Sequence, residues 1–245
     1  MPGTDFQPLA EAQPDIETSS SDYLARFSGH AGRFFLERQA AVLEQLLGEG
    51  SPGKVLDVGG GHAQLAPLLS ARGWDVTVHG TSRVCEENLR NLHGVNDCSF
   101  LLGPLGPLPC TDREYDLVVA VRLLTHVDDW QGMVQELCRV SRRDLIIDFP
   151  VSIGLNGLSP ILFPAKKLYE RNTRAYRNFS MRELSDCLKK HGFQAVASSG
   201  QFVLPMVLHR MTRAAAPLRL LESIARLSGL TRRYGSPVLL RAVRR

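Results

Sequence analysis

The chemistry-bearing residues of this chain begin with an acid set two positions before a glycine run. Asp57 precedes Gly59-Gly60-Gly61 in KVLDVGGGHAQLAPLL, Lys54 to Leu69. The apolar run Val55, Leu56 and Val58 reads as a strand, and the amphipathic stretch after the glycines reads as a helix. Such a strand–turn–helix junction exposes free backbone N–H groups and a positive dipole end to a ligand. A dinucleotide fingerprint, G-x-G-x-x-G, requires glycine at position 64, where Gln64 stands; a P-loop requires G-K-[ST], where His62-Ala63 follow. A carboxylate beside so tight a turn repels a pyrophosphate, but it can receive an ammonium, and glycine lets an adenosine lie on the backbone.

The elements that must position this turn follow from periodicity. Strands are expected at 54–58, 75–79, 98–102, 115–121 and 144–149, with helices at 62–72, 82–92 and 130–141. Near-continuous apolar strands alternating with helices predict a parallel sheet covered on both faces, with ligands beyond the strands' carboxyl ends. Tyr23 to Leu47 has helical spacing before the first strand. Past Pro150, a short helix is expected around Pro160–Arg171, and Ser180-x-x-Glu183 forms a capping box that opens a helix to His191. Strands are expected at about 194–203 and 237–243, separated by a stretch of helical character from Pro205 to Gly235. That stretch is far too long for a plain hairpin. The first 22 residues read as a flexible leader without an apolar signal region, and 23–245 as a single domain with helical insertions at about 151–180 and 205–235.

Composition narrows the classes. At 245 residues, 44% hydrophobic and 22% charged, the chain is an ordinary globular protein, and no apolar run reaches a bilayer span. Its five cysteines form no C-x-x-C pair, which predicts reduced thiols and a cytoplasmic setting, and its seven histidines show no metal-ligand spacing. The net charge of +4 hides an asymmetry: residues 1–150 carry 12 basic and 21 acidic side chains, residues 151–245 carry 17 and 4. A basic half of this kind either meets an acidic substrate, an anionic membrane surface or a nucleic acid, or is a solvated face.

The segments VLDVGGGHAQLAPLL, GPLGPLPCTDREYDLVVAVRLLTHVDDW and ELCRVSRRDLIIDFP together resemble the class I S-adenosylmethionine-dependent methyltransferases, in particular the branch of ubiquinone and menaquinone methyltransferases. The resemblance covers about residues 50–150 and, more weakly, 180–203. It implies an α/β, Rossmann-like, doubly wound sheet of about seven strands with the last antiparallel, plus an inserted helical lid. It implies S-adenosylmethionine as cofactor, with Asp57 toward the methionine amino group and Gly59 and Gly61 allowing its close approach. His79 stands where such enzymes carry the acid that takes both ribose hydroxyls, with Thr81 or Ser82 beside it. Backbone at Gly103 and Leu105 faces the adenine where an acid is usual, and Val121 completes the cofactor set. Arg122 and His126, following the fourth strand, fall near the transferred methyl, where His126 suits a general base or, alternatively, a packing or helix-starting role. Asp128 reads as the N-cap of the next helix.

The acceptor is expected to touch the aromatic-cationic run LYERNTRAYRNFS, through Tyr169, Tyr176 and Arg177 with Arg174 and Asn178. In LRLLESIARLSG, the apolar face of Leu220, Leu221, Ile224 and Leu227 predicts first a helix packed on its own domain. A lid over an apolar substrate and an interfacial helix on anionic lipid are the alternatives. The function expected is methyl transfer to a small, apolar or acidic organic molecule. A non-catalytic or regulatory protein on the same scaffold and a nucleic-acid methyltransferase are the other readings, the last lacking the N/D-P-P-Y/F motif. Oligomeric state is not legible.

Overall fold

A computed structural model describes residues 27, 29–48, 50–95, 97–151, 177–211 and 215–245. Helix α1 (Gly29–Leu47) leads into β1 (Lys54–Val58), α2 (Ala66–Ala71), β2 (Asp75–Gly80), α3 (Arg83–Arg90), β3 (Ser99–Leu102) and β4 (Tyr115–Ala120). A 3-10 turn (Leu124–His126), α4 (Trp130–Val140) and β5 (Ser141–Phe149) follow, then α5 (Met181–Lys190) and β6 (Phe193–Phe202). Three further helices, α6 (Met206–Met211), α7 (Ala215–Leu227) and α8 (Leu230–Tyr234), precede β7 (Ser236–Arg244). The expected leader and the helix around 160–171 lie outside the described residues.

The seven strands form one sheet in the order β3-β2-β1-β4-β5-β7-β6. β1 pairs in parallel with both β2 and β4, whereas β7 runs antiparallel between β5 and β6. The chain therefore reverses its direction of travel across the sheet at β1 and β4, and their carboxyl ends open the crevice in which such sheets take ligands. Leu56, Val118 and Ile147 pack one face under α4 and α5; Val55, Leu117 and Ile146 pack the other under α1 and α2. Because both faces are covered, the central strands are apolar at nearly every position, and the acids within them stand out. One of those, Asp144, accepts from Arg241 Nε at 2.9 Å and Nη2 at 2.8 Å, which ties β5 to β7.

Two local expectations shift. The helix after the glycines starts at Ala66 rather than at residue 62, because the chain first turns through Gly59 and Ala63 at positive φ. Asp129, not Asp128, caps α4: its Oδ1 accepts from Gly132 N at 2.9 Å, as the residue directly before the first turn must. At α5 the capping serine acts as expected, Ser180 Oγ accepting from Glu183 N at 3.1 Å.

The insertion corrects a third expectation. On α7 it is the Glu222 face that packs inward, while Leu220, Leu221, Ile224 and Leu227 are 61%, 52%, 53% and 91% exposed. Glu222, 1% exposed, accepts from Val203 N at 3.1 Å and Leu204 N at 2.8 Å, and lies 3.4 Å from His209 Nε2. The His209 ring in turn sits 5.5 to 5.9 Å from Phe34, Phe35 and Phe202. The Glu222 carboxylate thus satisfies two backbone N–H groups just past β6, each of which would cost about 1–3 kcal/mol if left unpaired.

Where the insertion returns to the sheet, backbones nearly touch. A Cβ on Gly200 would stand 2.4 Å from Thr231 O and 2.7 Å from Gly235 Cα. Gly200→Ala is therefore expected to lower stability by about 1–3 kcal/mol, read as a drop of several degrees in Tm, because neither contact is a side chain that can swing away.

Candidate functional site

The glycine turn is built directly on Asp57. Gly59 takes φ +70°, Gly61 N donates to Gly59 O at 2.8 Å, and Gly60 N donates to His79 O at 3.1 Å. A Cβ on Gly60 would lie 2.8 Å from both Asp57 Oδ2 and Val78 Cγ1, so only glycine lets the turn sit over the carboxylate. On α3, Asn88 Nδ2 donates to Gly61 O at 2.9 Å and holds the far side of the turn. The helix that follows has only six residues, so the turn's own backbone, rather than a helix end, faces the crevice.

The opposite wall is the exit of β4. Arg122 has φ +60°, rare for a residue with a Cβ. Its backbone N–H donates to Asp148 Oδ1, and its Nη2 reaches across to Gln64 Oε1. The guanidinium carbon also lies 4.4 Å from the centre of the Phe27 ring. Phe27 gets there because the chain folds back over α1, where a Cβ on Gly32 would fall 2.1 Å from the Phe27 carbonyl carbon.

One cleft joins the two walls, lined by Asp57, Gly59, Gly60, Gly61, His62, Gln64, Leu65, Val121 and Arg122. Its interior measures about 30 Å³, room for one or two waters, because the Arg122–Gln64 bond spans it. Both neighbouring acids are buried, Asp57 and Asp148 each 3% exposed. Burial pushes the Asp57 carboxyl up to about 7, with Arg122 pulling it back. Burial likewise raises Asp148 to about 6, opposed by the Arg122 N–H and then by its guanidinium.

The structure thus gathers Asp57, Gly59, Gly61, Val121 and Arg122, and leaves others apart. His79 is fully buried beneath the turn, contributing its backbone oxygen, and does not line the cleft. Thr81 follows β2, half exposed. Gly103 N donates to Gly80 O at 3.2 Å, extending the β2–β3 ladder, while Leu105 packs half-buried on the core. His126 closes the 3-10 turn, its N–H donating to Leu123 O at 3.0 Å, and is not among the lining residues. Arg177 pairs with Glu183 at 2.5 Å and stacks near Trp130 and Phe179, its guanidinium carbon 5.3 and 5.5 Å from their rings. Asn178 lies beside it; Tyr169, Arg174 and Tyr176 are outside the described residues.

Sequence reading missed Gln64, Asn88, Phe27 and Asp148. For Asp148 a signal exists: it interrupts the apolar strand LIIDF, and a lone acid in a strand covered on both faces must have a partner. For Arg122 as a cleft wall there is none, because its direction depends on a backbone conformation its residue type disfavours.

Comparison with known proteins agrees with this architecture. The family model described as a methyltransferase domain matches residues 31–198. No curated protein matches in sequence. Among solved structures, a SAM-dependent methyltransferase of Thermotoga maritima superimposes with a TM-score of 0.69 at 19% identity, over 95% of this chain and 99% of the other. The magnesium protoporphyrin IX methyltransferase of Synechocystis, with bound S-adenosylhomocysteine, gives 0.62 at 18% identity over 94% and 97%. With a glycine turn over a buried acid at the switch point of a seven-stranded sheet, and a family match spanning more than half its length, the chain belongs to the methyltransferase-domain family.

Proposed function

We propose that this chain transfers a methyl group from S-adenosylmethionine to a small organic acceptor. The observation that carries the reading is a carboxylate, Asp57, and a guanidinium, Arg122, lining one cleft at the mouth of β1 and β4. An amino-acid tail presents an ammonium and a carboxylate on one carbon, and these two groups complement it. The glycine cradle fits the same tail, since a side chain at Gly60 would strike the Asp57 carboxylate.

When bound, the cofactor supplies an activated methyl group on a sulfonium, open to in-line displacement by a nucleophile. The chain's contribution is to bind, orient and exclude water. Asp57 would hold the ammonium, Arg122 would take the carboxylate in place of Gln64, and Val121 would close the apolar side. This moves Arg122 from the chemistry to the cofactor. His79 stays in the core, so the ribose falls to Thr81 and backbone, with Gly103 and Leu105 toward the ring. His126, in the 3-10 turn that follows the exit of β4, serves as the acceptor's base.

Arg177, Tyr169 and Tyr176 serve the acceptor. The cation of Arg177 beside two aromatic rings suits an acidic or aromatic molecule of the kind taken by the ubiquinone and menaquinone branch. The five cysteines are all free, which supports a reducing, cytoplasmic setting.

Calorimetry with S-adenosylmethionine is expected to give a micromolar Kd; absence of heat and of a thermal shift at millimolar ligand overturns the reading. Binding without turnover on any acceptor favours a regulatory protein on the same scaffold, which the burial of His79 makes the second reading. Gly60→Ala should keep its far-UV spectrum and lose at least about tenfold in affinity, one lost charged contact being worth about 1.5–3 kcal/mol.

The buried acid predicts opposite pH trends for stability and binding. The Asp57 carboxyl titrates at about 7 in the fold, above the value of about 3.9 in an unfolded chain. Its contribution to stability is complete below pH about 4 and lost as pH rises through about 7. Asp148, at about 6, acts in the same direction. Affinity for the ammonium-bearing cofactor should instead rise over that window and level off above it. Asp57→Asn is expected to flatten both profiles, raising the Tm of the ligand-free protein at pH 8 while weakening binding about tenfold or more. Arg122→Gln should weaken S-adenosylmethionine by about tenfold more than its decarboxylated analogue, which loses only what the further rise of the Asp57 pKa costs it. Equal losses for both ligands would place Arg122 elsewhere.

A further inference from the structure

The outward face of the β6–β7 insertion is apolar where a solvated helix is ordinarily charged. Leu220, Ile224 and Leu227 form one stripe along α7, with Leu221 at its margin, and Leu227 is 91% exposed. The stripe continues past the left-handed Gly229 into Leu230, 46% exposed, at the start of α8. No described helix is long and apolar enough to cross a membrane.

The charge of this face narrows what it can meet. Residues 205–235 contain Arg210, Arg213, Arg219, Arg226, Arg232 and Arg233 against one acid, Glu222. That single acid is turned inward and 1% exposed, engaged by the backbone of Val203 and Leu204. Arg219 and Arg226 lie half-buried to one side of the stripe, Arg219 donating to His30 O at 3.1 Å and Arg226 to Ser223 Oγ at 2.7 Å, while Arg232 and Arg233 are exposed on α8 just beyond its end. An apolar ridge with exposed cations at its end, and no outward carboxylate within the insertion, matches a sheet of acyl chains bearing anionic headgroups.

We infer that the α7–α8 face docks on an anionic phospholipid surface, with Leu220, Ile224 and Leu227 entering the headgroup boundary and Arg232 and Arg233 meeting the phosphates. The docking face belongs to an insertion at the β6 edge of the sheet, so it is separable from cofactor binding and is tested apart from it.

The test is co-sedimentation of the full chain with vesicles of phosphatidylcholine alone or mixed with phosphatidylglycerol, at low and high salt. Binding should be at least about tenfold tighter to the mixed vesicles and fall steeply with salt. Leu227→Glu, at a position that is almost wholly exposed, should lower binding about tenfold or more with an unchanged Tm. The pair Arg232→Glu and Arg233→Glu should do the same and abolish the salt dependence, so that a folding defect in either variant leaves the other decisive. Equal pelleting with neutral vesicles, or no pelleting with either, overturns the inference. So does a concentration-dependent dimer in light scattering that Leu227→Glu dissolves, which would assign the face to a second copy. S-adenosylmethionine affinity is expected to be unchanged in all variants.

Discussion

One arginine between two buried acids governs this molecule. Asp57 ends β1 and Asp148 lies near the end of β5, with β4 between them. Neither carboxylate could remain charged in such surroundings without a cation close by. Arg122 meets this demand twice, through its backbone N–H to Asp148 and through the charge it places near Asp57. The left-handed turn at Arg122 and the glycine bend over Asp57 are both consequences: the chain bends so that polar groups at the mouth of an apolar sheet find each other. The same arrangement leaves the cleft half-compensated, with carboxyls held far above their usual range.

The sheet was legible because burial on both faces forces its strands to be apolar at nearly every position, and Val55-Leu56, Leu117-Val118-Val119 and Leu145-Ile146-Ile147 are such runs. The glycine turn was legible through the acid two residues before it. What escaped are the features in which backbone conformation overrides residue type. Ala63 and Arg122 at positive φ shift the start of α2 and aim the cleft wall, and neither residue type announces that conformation. His79 was read from its position at the end of β2 as a cofactor contact. Position in a strand gives the end of the sheet but not whether a side chain turns to the ligand or into the core, and here it turns into the core.

The insertion was misread for a related reason. A leucine stripe predicts an inward face when nothing stabilises a helix's docking more than the burial of its apolar area. On α7 another demand competes: two backbone N–H groups just past β6 and the His209 ring, enclosed by Phe34, Phe35 and Phe202, meet the Glu222 carboxylate. Hydrophobic periodicity carries no information about such a need elsewhere in the chain. The cations of the carboxyl-terminal half divide between the interior, where Arg241 meets Asp144, and the surface, where Arg232 and Arg233 stand exposed, a division that a charge count does not reveal.

The anchoring of α7 through Glu222 has an evolutionary consequence. The rotational setting of this helix is fixed by a polar peg, so the composition of its outer surface is free of any duty to the core. Residues there can be exchanged for charged ones, or for larger apolar ones, without loosening the sheet or disturbing the crevice. The outer surface of α7 and the crevice at β1 and β4 are thereby free to change independently of one another.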